Sequence, residues 1–77
     1  MKNAFTFNEI ENMFEIGRTM QAMCDLGEIK IEDSKEAFYL ALNLAIEFEN
    51  EFPESDDYYN DIDNFVSDNI PEELKII

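Results

Sequence analysis

Between Ile10 and Cys24 the apolar residues Ile10, Met13, Phe14, Met20, Met23 and Cys24 recur three or four positions apart. That is the period of one face of an α-helix. Gly17 falls on the same face. An interior Gly costs about 1 kcal/mol against Ala, so its expected use is to let another helix approach closely. Thr6 and Glu9 form a T-x-x-E capping box, and Phe5 and Ile10 stand where a hydrophobic staple would clamp the same end. Gly27 is a natural C-terminal stop. The pattern predicts a first helix over about 6–26.

Residues 28–32 read EIKIE, with Ile29 and Ile31 alternating with charges. Alternation suits a strand, but the only other alternating pair is Phe5/Phe7. The expectation is an extended connector that tucks both Ile into the core. A second helix is predicted over 34–52, opened by the capping pair Asp33 and Glu36 and ended by Pro53. Phe38, Ala41, Ala45, Phe48 and Phe52 make its stripe, flanked by Ala37, Leu40, Leu42, Leu44 and Ile46. A helix apolar nearly all round is expected at the centre of the fold. A third helix is predicted over 55–69, with Ser55 as N-cap and Asp56 and Asp57 complementing the helix dipole. Its apolar face is Tyr58, Tyr59, Ile62, Phe65, Val66 and Ile70, and Pro71 ends it. The tail PEELKII is expected to add a turn docked by Leu74 and Ile76. The fold class is therefore all-α: a compact three-helix domain, residues 1–77 forming a single domain.

Charge changes this picture from an ordinary bundle to an unusual one. Nineteen acids face five bases in 77 residues, a formal charge of −14. Such a balance suits disorder, but 45% hydrophobic residues, seven Phe and the periodicity argue for a fold. Between Lys35 and Lys75 there is no Lys, Arg or His, while twelve acids fall there. The field repels nucleic acid and anionic membranes and attracts basic protein surfaces. The expectations are no direct nucleic-acid binding and no membrane association. No apolar run approaches the ~20 residues that span a bilayer, and no signal-peptide pattern is visible. The lone Cys24 closes no internal disulfide, so a cytoplasmic protein is expected.

Candidate chemistry is thin. There is no His, Cys24 sits on an apolar face, and a three-helix chain offers little cleft for paired carboxylates in unlike environments. No catalytic residue is assigned and no enzyme is expected. The acids of 56–63 fail the EF-hand pattern, since starting at Asp56 puts Tyr58 third and starting at Asp61 puts Phe65 fifth. Zinc has too few soft ligands. No metal and no cofactor is expected.

The acidic stretch itself is the stronger signal. Residues 47–64 carry eight carboxylates and no positive charge. A solvated face is the plain reading, but such faces interleave both signs. Glu47/Glu51 and Asp57/Asp61 are like-charged i,i+4 pairs, each costing about 0.2–0.5 kcal/mol on a helix. Duplex DNA carries one charge per ~1.7 Å of axis, and closely spaced carboxylates can meet the Arg and Lys that hold phosphates. The expected partner is the basic surface of a nucleic-acid-binding protein, met through Glu47, Glu51, Glu54, Asp56, Asp57, Asp61 and Asp63, with Tyr58 or Tyr59 as an aromatic anchor.

Two resemblances add to this. The segment E-N-E-F-P-E-S-D-D-Y-Y-N-D-I, Glu49 to Ile62, resembles the acidic C-terminal segment of a DNA-mimicking anti-CRISPR inhibitor of type II CRISPR nucleases, a phage protein. The resemblance implies acids occupying the groove that reads the PAM, with Glu54, Asp56 and Asp57 as the mimics. Pro53 and Ser55 depart from the acidic pattern, and the family's β-hairpin region has no counterpart here. The span DSKEAFYLALNLAIEFENEFPES resembles acyl carrier proteins, in which a Ser after an Asp opens helix two and carries phosphopantetheine. That implies a role for Ser34. Lys35 stands where the family has Leu, and only six residues separate Gly27 from Ser34. The remaining alternative is an acidic interaction module or homodimer using Met13, Met20 and Met23 on the first helix.

Overall fold

Local signals set the ends of the helices. In the computed structural model, which describes residues 4–76, the first helix, α1, spans Phe7–Asp25. Thr6 accepts from the Glu9 backbone N–H and Glu9 accepts from that of Thr6, so the capping box is complete. Gly27 adopts φ 77°. The Gly27 N–H donates to the Cys24 carbonyl and the Glu28 N–H to that of Met23. This paired closure is the Schellman arrangement, which a left-handed Gly permits.

The second helix, α2, spans Ser34–Glu51, and the Asp33 side chain accepts from the Lys35 backbone N–H. Phe52, before Pro53, leaves helical geometry at φ −131°, as a residue preceding proline is pushed to do. The third helix, α3, spans Tyr58–Asn69. It begins three residues later than the composition suggested, because Ser55 does not cap it. The Ser55 hydroxyl donates to the Asp61 carboxylate instead, and Asp57 is the N-cap residue without a side-chain bond. Asp56 therefore lies in a turn and not in a helix. A single 3₁₀ turn follows at Glu72–Leu74.

The three helices form an all-α domain. Its radius of gyration is 12.2 Å, near the ~11.5 Å expected of a compact chain this long. The core joins Ile16 and Met20 of α1 with Ala41, Leu44, Ala45 and Phe48 of α2, and Ile62, Phe65 and Val66 of α3. Phe48 is its centre: it stacks on Phe52 at 5.0 Å and meets Tyr58 and Phe65 edge-on at 5.9 and 5.5 Å.

Several placements correct the pattern. The central helix is α1, which packs on both others, while α2 and α3 touch least. On α1 the buried positions are Glu9, Asn12, Ile16 and Met20, a stripe turned about a fifth of a turn from the one the apolar residues mark. Ile10 and Phe14 are left exposed. The cause is Asn12, whose side chain is drawn inward by partners on both other helices. Gly17 lets no helix of this chain approach closely, since a Cβ there would meet no atom within 4 Å. The 28–32 segment does find a partner, though not Phe5/Phe7. Lys30 N–H donates to the Leu74 carbonyl and Ile76 N–H to that of Glu28, an isolated antiparallel bridge between Ile29 and Lys75. Ile29 is buried and Ile31 packs on the core. Leu74 also packs there, whereas the Ile76 side chain is half exposed.

Candidate functional site

The turn after α2 displays its acids, and no ion pair among the described residues neutralises them. Glu47 and Glu51 stand one turn apart on the exposed side of α2, and Glu54, Asp56 and Asp57 follow, all exposed. Asp61 is half-buried and tied to Ser55 at 2.5 Å. Among the described residues the ion pairs are Arg18–Glu15, Lys30–Glu32 and Lys75–Glu72. None involves the acids assigned to the site.

The structure divides that set. Asp61 and Asp63 are two residues apart on α3, so they point to opposite sides. Asp63 accepts from the Thr19 hydroxyl at 2.8 Å and borders a depression with Glu15, Arg18 and Tyr59. It belongs to the α1–α3 side, away from Asp61.

The structure also adds acids that sequence reasoning passed over. Glu11 and Glu49 line a crevice of about 180 Å³ together with Glu54 and Tyr58. Glu11 and Glu15 are an i,i+4 like-charged pair on α1, the same signal that marked Glu47/Glu51. The carboxylates of this edge thus come from all three helices and the α2–α3 turn.

Beneath the edge lies a polar junction. The Tyr58 hydroxyl donates to Asn12 Oδ1 at 2.8 Å. Asn12 Nδ2 is shared between the Ala45 carbonyl and Glu49 Oε2, each at 3.3 Å. Asn8 Nδ2 donates to Glu49 Oε1 at 3.4 Å. These bonds fix α1 against both other helices and hold Glu49 in place. Burial pushes the Tyr58 hydroxyl far above its ordinary pKa, and the nearby Glu11, Glu15 and Glu49 push it the same way, as does Tyr59. A phenol surrounded by carboxylates stays neutral. With Tyr58 committed to Asn12, Tyr59, 62% exposed, is the ring free to meet a partner.

Two other features bear on the alternatives. Ser34 is the first residue of α2, exposed, at the rim of a groove between α1 and α2. Met13, Met20 and Cys24 line that groove, with Met20 buried in its floor, whereas Met23 packs against the core and is not among the residues that line it. No helix among the described residues is long and apolar enough to cross a membrane. Among the described residues no group of three or more His, Cys, Asp or Glu is placed to hold a metal ion. The chain matches no known protein family, and neither a curated protein nor a solved structure is significantly similar to it.

Proposed function

We propose that this protein is a non-enzymatic inhibitor that binds the basic, nucleic-acid-binding surface of another protein, its carboxylates standing where DNA phosphates would. The observation that carries this reading is the unneutralised edge: Glu47, Glu51, Glu54, Asp56 and Asp57 are exposed and have no ion-pair partner among the described residues. The molecule as a whole is highly charged for its size, a net −14 over a longest dimension of 33 Å. Steering by such a field speeds encounter with a cationic groove and excludes DNA from it by competition. The sharpest form is a phage inhibitor of a CRISPR or restriction nuclease. It is tested by cleavage of a PAM-containing duplex by a guide-loaded type II nuclease, with and without the protein. Inhibition that weakens when the duplex concentration rises supports it. Unchanged cleavage by type II and restriction nucleases alike removes this form.

The position of Ser34 favours a second reading, an acyl-carrier-like protein. Its hydroxyl is accessible and opens α2 beside an apolar groove, where a tethered chain could lie. Incubation with coenzyme A and a phosphopantetheinyl transferase, followed by intact mass measurement, decides it. Transfer to Ser34 would release adenosine 3′,5′-bisphosphate and add the arm's mass, absent in Ser34→Ala. An unchanged mass ends the reading.

A further inference from the structure

The groove between α1 and the start of α2 has a volume of about 450 Å³ and an apolar floor that includes Met13, Met20, Ala37 and Ala41. Gly17 lines it, and a Cβ at that position would meet no atom within 4 Å. A mid-helix Gly lowers helix stability, and inside this chain no close approach offsets that loss. The space over Gly17 is free for an element from outside. The apolar surface continues beyond the groove. Phe38 on its rim is 53% exposed, and Ile10 and Phe14, two turns and one turn before Gly17 on the same side of α1, are 50% and 68% exposed. The stripe from Ile10 to Cys24 is about 21 Å long, which is the footprint of a helix and far exceeds that of a small ligand.

Charge selects the occupant. Glu32, which pairs with Lys30 at 3.1 Å, and Asp33, the N-cap of α2, line the groove beside Ser34, and no Lys or Arg among the described residues lines it. A second copy of this chain would bring another −14 against the first, which opposes self-association. A cationic helix gains from the same field. We infer that this groove docks an amphipathic helix of another protein, with apolar anchors at i, i+3, i+4 and i+7 seated over Gly17 and Lys or Arg near the end that meets Glu32 and Asp33. The inference does not rest on the mimicry reading, because the groove and the acidic edge use different sides of α1.

The test is a display selection on the full chain. The library holds helical peptides of about five turns with fixed Leu/Phe anchors and Lys, Arg, Glu or Gln at the other positions. Gly17→Leu projects into open space and replaces a poor helix former, so its thermal melt stays at or above that of the unchanged protein. The enriched peptides are expected to be basic, and to bind Gly17→Leu about tenfold more weakly. Glu32→Gln with Asp33→Asn, which keeps a capping side chain, is expected to weaken them about threefold. Neutralising Glu54, Asp56 and Asp57, which do not line the groove, weakens the binding less than Glu32→Gln with Asp33→Asn does. Enrichment of acidic and basic sequences alike overturns the inference, as does equal binding to a folded Gly17→Leu. A dimer by sedimentation that Gly17→Leu converts to monomer would assign the groove to a second copy. A decanoyl probe that fills the groove where no peptide binds would assign it to an acyl chain.

Discussion

The two sides of α1 handle exposure in opposite ways. Toward α3 and the α2–α3 turn it presents Glu11 and Glu15, which join Glu49, Glu54 and Asp63 around Tyr58 and Tyr59. Toward the N-terminal half of α2 it presents Met13, Gly17 and Cys24 over an apolar floor. The first side is rich in charge and rests on a hydrogen-bonded junction. The second is rich in carbon and has empty space above Gly17. A small domain has little stability to spare, yet one side tolerates like-charge repulsion and the other tolerates exposed Phe14 and Phe38. Each side gives up stability in its own way, and the repulsive one is held by side-chain hydrogen bonds between the helices.

Breaking the shared support has the largest effect. Phe48 is 1% exposed and touches three aromatic rings. Phe48→Ala is expected to remove about 3–5 kcal/mol from a total of roughly 4–11 kcal/mol for a chain of this length. Urea unfolding followed by circular dichroism should show the midpoint collapse, and a loss below 1 kcal/mol would mean that Phe48 is not the centre of packing. Asn12→Ala acts on the acidic side alone. It takes the acceptor from the part-buried Tyr58 hydroxyl and removes the side-chain bonds to Ala45 and Glu49, and about 1–3 kcal/mol should be lost in the same assay. Gly17→Ala acts on the groove side with the opposite sign, raising stability by about 0.5–1 kcal/mol. A destabilised Gly17→Ala would show that the space there is not free.

The smallest effect is a pH dependence. The Tyr58 pKa is raised in the folded protein, first by burial and then by Glu11, Glu15, Tyr59 and Glu49. Below the unfolded value near 10 both states keep the proton, so its contribution is intact. Above pH ~10 the unfolded chain releases it first, and stability falls. Urea midpoints at pH 9 and pH 11 should show that Tyr58→Phe loses less than the unchanged protein over this interval. Equal losses would place the alkaline sensitivity elsewhere.

Much of this was legible in single residues, and the rest needed partners distant in sequence. The Thr6/Glu9 box, Gly27 and Pro53 act on their own neighbours, so their positions mark the ends of α1 and α2 directly. The rotation of α1 was not legible, because it follows from Asn12 meeting Ala45, Glu49 and Tyr58, which lie 33 to 46 residues away. Read by hydrophobicity alone, Asn12 belongs outside and Phe14 inside. The Ile29–Lys75 bridge joins segments 46 residues apart, and nothing near EIKIE announces it. For the acidic edge, 47–57 was readable as a charge run. Glu11 joins it only through folding, whereas the divergence of Asp61 and Asp63 follows from their two-residue spacing on one helix and was readable in the predicted span 55–69.

The most direct measurement of the central claim is affinity capture from a bacterial lysate with the unchanged protein and with the folded triple variant Glu54→Gln, Asp56→Asn, Asp57→Asn. Retention of a DNA- or RNA-binding enzyme that the triple variant or added duplex DNA abolishes is the expected result. Equal capture by both proteins, or capture that excess DNA leaves untouched, would contradict phosphate mimicry and return the edge to a solvated surface.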